Sequence, residues 1–179
     1  LFCMGSFLIT AGANAVNQLI EIKTDAMMER TQHRPLPTKR ISKREALLFS
    51  ILTVSAGLYL IYAFTNLIGV VLSFISFILY CFAYTPLKKY SPWAVFVGAF
   101  PGAAPPLIGW VAATGFINNF AIILFGIQFI WQFPHFWSIA WVLDEDYKKA
   151  GFHMLPSLGG RDKSSAFQVL VYTLFLVPI

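Results

Sequence analysis

The sequence predicts an all-α protein, a polytopic transmembrane helical bundle. Its 13 basic and 8 acidic residues all lie in three short windows, 21–45, 88–89 and 144–163. The uncharged runs 46–87 and 90–143 are each long enough for two membrane crossings of about 20 residues. With 58% hydrophobic and 12% charged residues, the composition is typical of a membrane protein and excludes a soluble domain.

Each uncharged run is expected to form a helical hairpin, which returns the chain to the face from which it left. The three charged windows then share one face of the bilayer. The turns expected on the other face, near 65–66 and 114–119, carry no Lys or Arg. By the positive-inside rule the charged face is cytoplasmic, or the matrix face in a mitochondrion. A bacterial inner membrane is the expected location, and the lipid bilayer is the expected surrounding.

The predicted helices cover 1–24, 46–64, 67–84, 93–113, 120–143 and 165–179. We expect them to belong to one transmembrane domain spanning 1–179. The chain begins without Met inside one apolar stretch and ends inside another, so this domain is expected to be truncated at both ends.

The sequence indicates neither nucleic-acid binding nor a role for its cysteines in a disulfide or a zinc site. The net charge of +5 does not predict nucleic-acid binding, because the basic residues are confined to membrane-proximal loops. Cys3 and Cys81 lie far apart in apolar runs, without a His or Cys at metal-ligand spacing. Neither a disulfide nor a zinc site is predicted.

The strongest chemical signal lies near the end of the first predicted helix. Asn17, Glu21 and Asp25 recur every four residues and therefore form one stripe on a helix face. Mg²⁺ prefers such oxygen ligands and usually shares them with substrate phosphates. Ordinary polarity at a membrane-surface helix end is the alternative interpretation. Basic residues in and after the stripe offer partners for phosphate, namely Lys23, Arg30, Arg34, Lys39 and Arg40.

A second acidic cluster, Asp144, Glu145 and Asp146, follows the fifth predicted helix on the same membrane face. A diphosphate held by bridging Mg²⁺ would require two such clusters beside basic residues, with the metal acting as a Lewis acid. A solvated loop is the alternative interpretation of this cluster.

Three sequence blocks carry a family resemblance. The first runs from Asn17 to Pro35; the second is Tyr84-Thr85-Pro86-Leu87-Lys88 leading to Gly109-Trp110; the third joins Trp131-Gln-Phe-Pro134-His135-Phe136-Trp137 to Met154-Leu155-Pro156. Together they resemble the UbiA family of intramembrane prenyltransferases, and in particular its protoheme IX farnesyltransferase (haem O synthase) subfamily. The first block is similar to the motif Asn-x-x-x-Asp-x-x-x-Asp, with Glu21 where the general motif has Asp.

The resemblance implies a bundle of about nine transmembrane helices, of which about six are present here, with an active site open to the cytoplasmic or matrix face. It also implies a reaction. The farnesyl group of farnesyl diphosphate would be transferred to the vinyl group of haem b to give haem O, with Mg²⁺-assisted departure of diphosphate. A haem A synthase would be a downstream partner.

The same resemblance implies residue roles. One Mg²⁺ would be held by Asn17, Glu21 and Asp25, and a second by Asp144 and Asp146. The basic residues implied to contact the diphosphate are Lys23, Arg30, Arg34 and Lys88.

His135 follows Pro134 in the fifth predicted helix, where the proline is expected to kink the helix. This histidine is our candidate for acceptor binding; hydrogen bonding to a freed backbone carbonyl is the structural alternative.

Two other functions remain open. Another UbiA-type prenyltransferase would share both acidic clusters but act on an aromatic or quinone precursor. A transporter or non-catalytic haem binder is the alternative outside enzymes. A transporter is disfavoured because these acids lie at helix ends and not near the bilayer midplane.

Overall fold

The computed structural model describes residues 1–157 and 159–177, and this part of the chain is all-α, as predicted. The elements are α1 (Phe2–Ile20), α2 (Ile22–Asp25), α3 (Lys43–Phe64), α4 (Leu67–Ile78), a π-helix (Leu79–Tyr84), α5 (Thr85–Leu87), α6 (Ala94–Thr114), α7 (Asn119–Val142), α8 (Asp144–Lys149) and α9 (Lys163–Leu174).

Four helical segments among the described residues are long and apolar enough to cross a membrane: Lys43–Phe64, Leu67–Leu87, Ala94–Thr114 and Asn119–Val142. They form the two expected hairpins. The first hairpin turns at Asn66, whose side chain accepts a hydrogen bond from the Gly69 N–H at 2.9 Å and so caps α4. Outward-facing apolar residues such as Leu52, which is 68% exposed, suit contact with lipid.

The structure divides two of the predicted helices. The predicted helix 1–24 is interrupted at Glu21, which separates α1 from α2. The predicted helix 67–84 changes at Leu79 from α-helix to π-helix, and hydrophobic periodicity carries no signal for that change. The predicted helix 165–179 begins earlier, because the Asp162 side chain caps α9; positions 178–179 lie outside the described residues.

Close contacts between backbones hold α1 against α3. A Cβ on Gly12 would come within 2.5 Å of a Val54 methyl, so only glycine allows this approach. The Ser50 hydroxyl also donates to the Gly12 carbonyl at 3.0 Å. These contacts fix α1, which carries Asn17 and leads directly into Glu21 and α2.

A proline in α6 creates the polar contact that holds α7. Pro106 has no N–H to give to the carbonyl of Gly102. The buried Gln132 side chain supplies the missing donor, with its Nε2 atom 3.0 Å from that carbonyl oxygen. The bond positions α7, and therefore α8 directly after it, relative to α6.

Candidate active site

The first acidic cluster is buried. Asn17 and Glu21 are each 6% exposed and Asp25 is 0% exposed. Glu21 lies at the break between α1 and α2, and Asp25 is the last residue of α2. Ordinary solvated polarity at a helix end does not describe this arrangement, because burying unpaired carboxylates would cost several kcal/mol each.

Glu21 forms a buried ion pair with Lys88, which lies in the loop after α5. The Lys88 Nζ atom lies 2.6 Å from Glu21 Oε1. The ammonium group also lies 5.1 Å from the ring centre of Tyr84 and 5.3 Å from that of Phe152, within cation–π range. Burial lowers the pKa of Lys88, and the Glu21 carboxylate opposes this shift, which keeps the charged pair together.

Asp25 is held by an ion pair with Arg34 from the loop after α2, in which one nitrogen contacts both carboxylate oxygens. Arg34 Nη1 donates to both carboxylate oxygens of Asp25, at 3.0 and 2.9 Å. The Thr31 hydroxyl donates to the Asp25 carbonyl at 2.9 Å. The loop is therefore folded back onto the carboxylate, and Arg34 remains 30% exposed on its outer side.

The side chain of Asn17 joins the same network. Its Nδ2 atom donates to Glu21 Oε2 at 2.9 Å and to Thr85 Oγ1 at 3.1 Å. One carboxamide thus connects α1 to the segment that carries Lys88.

Asp146 in the second cluster binds backbone groups of the loop that follows the first cluster. Its carboxylate accepts from the N–H groups of Glu29 and Arg30, each at 3.2 Å. The Arg30 N–H is the main cause of the lowered pKa of Asp146. Lys149 adds a link, with its Nζ 2.7 Å from Glu29 and 3.4 Å from Asp146. These contacts bring the two clusters to the same end of the bundle.

The other two acids of the second cluster differ in burial. Asp144 is 8% exposed and lies 2.7 Å from Lys148 and 3.6 Å from Arg161. The Glu145 side chain is 85% exposed and only approaches Arg161, at 3.9 Å. Asp144 and Asp146 are therefore the two members that face protein.

Two aromatic residues near the clusters had no sequence-based prediction of a role. Burial raises the pKa of Tyr147, and the Arg30 guanidinium opposes this shift. Phe152 covers Lys88. Tyr147 and Phe152 come near the basic residues of the site only through the fold, which brings α8 and the residues after it close to Lys88. Their spacing in the sequence therefore gave no signal of a role.

An apolar cavity of about 540 Å³ lies between α1, α4, the π-helix and α6. Its wall along α1 runs from Phe2 to Asn14, about 18 Å at 1.5 Å per residue. Phe136 of α7 lines it as well. Asn14 precedes Asn17 by three residues, so one end of the cavity lies close to the first cluster.

Three predicted site residues take little or no part in these contacts through their side chains. Lys23 is exposed, on the opposite face of α2 from the carboxylates. Arg30 is exposed as well, and it contacts Asp146 through its backbone N–H and not through its guanidinium. His135 stacks on Trp131, with ring centres 4.3 Å apart and planes at 17°, and among the described residues it is not part of the cavity wall.

Among the described residues, no three His, Cys, Asp or Glu side chains lie close enough to hold a metal ion by themselves. The donor set nevertheless fits Mg²⁺, since it offers the oxygens of one carboxamide and two carboxylates, and Mg²⁺ usually completes its coordination with water and substrate phosphate.

Comparison with known proteins agrees with this architecture. A family model described as the UbiA prenyltransferase family matches residues 1–179. Protoheme IX farnesyltransferase of Cytophaga hutchinsonii is 51% identical over 179 residues, covering 100% of this chain and 63% of the relative. The protein of the same name from Flavobacterium johnsoniae is 46% identical over 177 residues, covering 99% and 58%. That from Koribacter versatilis is 41% identical over 176 residues, covering 98% and 57%.

No solved structure matches the chain. The chain spans about three-fifths of the length of the curated relatives just named. The match of the family model over all 179 residues shows that the chain belongs to the UbiA prenyltransferase family.

Proposed function

We propose that the protein containing this chain transfers the farnesyl group of farnesyl diphosphate to a vinyl group of haem b. Water supplies the hydroxyl group of the product, haem O, and diphosphate leaves. The observation that carries the proposal is the buried set of carboxylates and cations beside a large apolar cavity. The acceptor is inferred from the relatives named protoheme IX farnesyltransferase.

Mg²⁺ fits the first cluster, where Asn17, Glu21 and Asp25 would hold it, and Asp144 and Asp146 are the proposed ligands of a second ion. When bound, Mg²⁺ would neutralise charge on the departing diphosphate.

The basic residues near the first cluster are proposed to bind the diphosphate. In this structure Lys88 and Arg34 balance the charges of Glu21 and Asp25. Both are therefore placed to bind diphosphate oxygens, Arg34 through its planar fork and Lys88 as a point charge. Lys23 and Arg30, which are exposed, are proposed as outer contacts of the same diphosphate.

The cavity suits the farnesyl chain, because it is mainly apolar and begins near the first cluster. It keeps water from the allylic carbon, while Tyr80 and Phe136 in its wall present aromatic groups that favour a nearby cation.

His135 is proposed to contact the haem acceptor. Its flat stack with Trp131 makes an aromatic surface suited to a planar ring. His135→Ala should impair haem use and leave the affinity for farnesyl diphosphate nearly unchanged. Separate affinity measurements for the two substrates test this role, and unchanged haem affinity and turnover would make His135 a structural residue.

The membrane location is part of the proposal. The four membrane-capable helices found among the described residues suit an integral membrane protein. We propose a bacterial inner membrane with the site on the cytoplasmic face. Because Asp25 is buried and Lys88 is largely buried, the test uses exposed neighbours of Asp25, Lys88 and Asp146: cysteines introduced at 23, 89 and 149 should react from the same side of oriented vesicles. Labelling from opposite sides would contradict a shared site.

The function is tested by incubating the purified protein with farnesyl diphosphate, Mg²⁺ and either haem b or 4-hydroxybenzoate, followed by mass analysis. Haem O with release of diphosphate is the expected result. A prenylated benzoate would instead indicate another UbiA-type activity, and haem binding without diphosphate release would indicate a non-catalytic binder.

A further inference from the structure

We propose that Thr85 is a positioning residue, which orients the carboxamide of Asn17 so that Oδ1 is the atom left to bind a cation. The inference rests on the proposed function of the first cluster. It is carried by the hydrogen-bond network around Asn17, in which the place of each proton can be worked out.

The hydroxyl group of Thr85 has only one proton. Thr85 Oγ1 lies 2.8 Å from the carbonyl oxygen of Tyr80, and a carbonyl can only accept. The proton therefore lies on this bond, and Oγ1 can act only as an acceptor toward Asn17.

The other neighbour of the Asn17 amide is also an acceptor. Glu21 is ion-paired with Lys88, so its carboxylate is charged and has no proton to donate. Only the amide nitrogen, with two N–H groups, satisfies both Glu21 Oε2 at 2.9 Å and Thr85 Oγ1 at 3.1 Å. A flipped carboxamide would place Oδ1 against two acceptors. The network thus fixes the orientation and leaves Oδ1 for another partner.

The π-helix explains why Thr85 can do this. The backbone N–H of Thr85 bonds to the Tyr80 carbonyl, five residues back, where a regular α-helix would use the residue four back. Cys81, which is fully buried, packs within this wider turn against Ala13 and Val16 of α1. Thr85 itself is 1% exposed and is held opposite Asn17.

Substitutions at Thr85 separate positioning from a merely structural role. Thr85→Val keeps the shape but removes the acceptor, whereas Thr85→Ser retains it. Thr114→Val is the matched control, because its hydroxyl also donates to a carbonyl of its own helix, that of Trp110 at 2.9 Å, at the other end of the bundle.

The measurement is the affinity of the purified protein for Mn²⁺, a spectroscopic substitute for Mg²⁺, by electron paramagnetic resonance with inorganic diphosphate present. Thr85→Val should weaken Mn²⁺ binding by about tenfold or more, the scale of losing a group that orients a ligand. Thr85→Ser and Thr114→Val should bind as the wild type does. If Thr85→Val does not fold, Thr85→Ala removes the same acceptor and should show the same loss.

A double variant tests whether Thr85 acts through Asn17. Asn17→Ala with Thr85→Val should bind Mn²⁺ no more weakly than Asn17→Ala alone. Wild-type affinity in Thr85→Val, or additive losses in the double variant, would overturn the role of Thr85 while leaving the proposed function intact. A wild-type protein that binds no Mn²⁺ would contradict the metal role in the proposed function, and the assignment of Thr85 with it.

Discussion

The two acidic clusters lie at the same end of the bundle, but different kinds of contact hold their carboxylates. Glu21 and Asp25 are buried and paired with side chains distant in sequence or in the following loop, Lys88 and Arg34. Asp144 pairs with Lys148 one turn along the same helix, and Asp146 accepts from backbone N–H groups of another loop.

This difference in contacts suggests different roles for two clusters that look alike in the sequence. Carboxylates that are paired with the side chains of cations can exchange those cations for a metal and a diphosphate, because a side chain can turn away without moving the backbone. A carboxylate that binds backbone N–H groups holds a loop in place, because those groups cannot be exchanged without moving the chain. We therefore expect the first cluster to dominate chemistry and stability, and Asp146 to stabilise the loop above it in addition to its proposed metal role.

The largest effect is expected for Asp25→Asn, which removes a charge from the proposed metal site. Mg²⁺-dependent turnover should fall by at least about tenfold, on the scale of lost ligands and their supporting groups. Asp162→Asn, the same change at the start of α9, is the control and should keep wild-type turnover. Wild-type turnover of Asp25→Asn at limiting Mg²⁺ would rule out the role given to Asp25.

The second prediction concerns the ion pair between Glu21 and Lys88. Glu21→Gln leaves the Lys88 ammonium buried without its counter-charge, and the free energy of unfolding should fall by about 3 kcal/mol. Thermal unfolding in detergent measures the loss. Glu145→Gln, at an 85% exposed side chain, is the matched control and should leave the unfolding midpoint unchanged. Equal midpoints for the two variants would show that burial does not distinguish the clusters.

The sequence was sufficient for the class of fold, because charge-free runs report directly on membrane spans. It also singled out the candidate carboxylates, whose roles remain predictions. It was not sufficient for their surroundings. The stripe from Asn17 to Asp25 predicted one helix face, yet the break at Glu21 and the pairing with Lys88 depend on tertiary packing. The π-helix before Thr85 could not be predicted from the sequence either, because one extra residue in a helical turn does not change the apolar character of the segment.

The third prediction tests the contact between Asp146 and the loop. Asp146→Asn weakens acceptance from the backbone N–H groups of Glu29 and Arg30, so these two amides should exchange hydrogen several-fold faster. Asp144→Asn should leave their exchange unchanged, because Asp144 pairs with Lys148 and Arg161. Faster exchange in both variants would show that the loop responds to the charge of α8 and not to Asp146.

The smallest effect concerns Asp162, a carboxylate outside both clusters that provides a reference for loop-holding acids. The Ser157 hydroxyl, followed by the Ser165 N–H, lowers the pKa of Asp162 below its ordinary value. A carboxyl whose pKa is lowered on folding stabilises the protein above its unfolded pKa of about 3.9, and this contribution is lost as pH falls through the folded pKa. Asn remains a good helix cap, so Asp162→Asn should lower the thermal midpoint at pH 7 by only about 1–2 °C.

The difference in midpoint between Asp162→Asn and the wild type should disappear as the pH falls below about 4. Unfolding curves of both proteins at pH 7 and at a pH below about 4 would measure it. A difference that persists in acid would mean that Asp162 stabilises α9 by shape and not by charge.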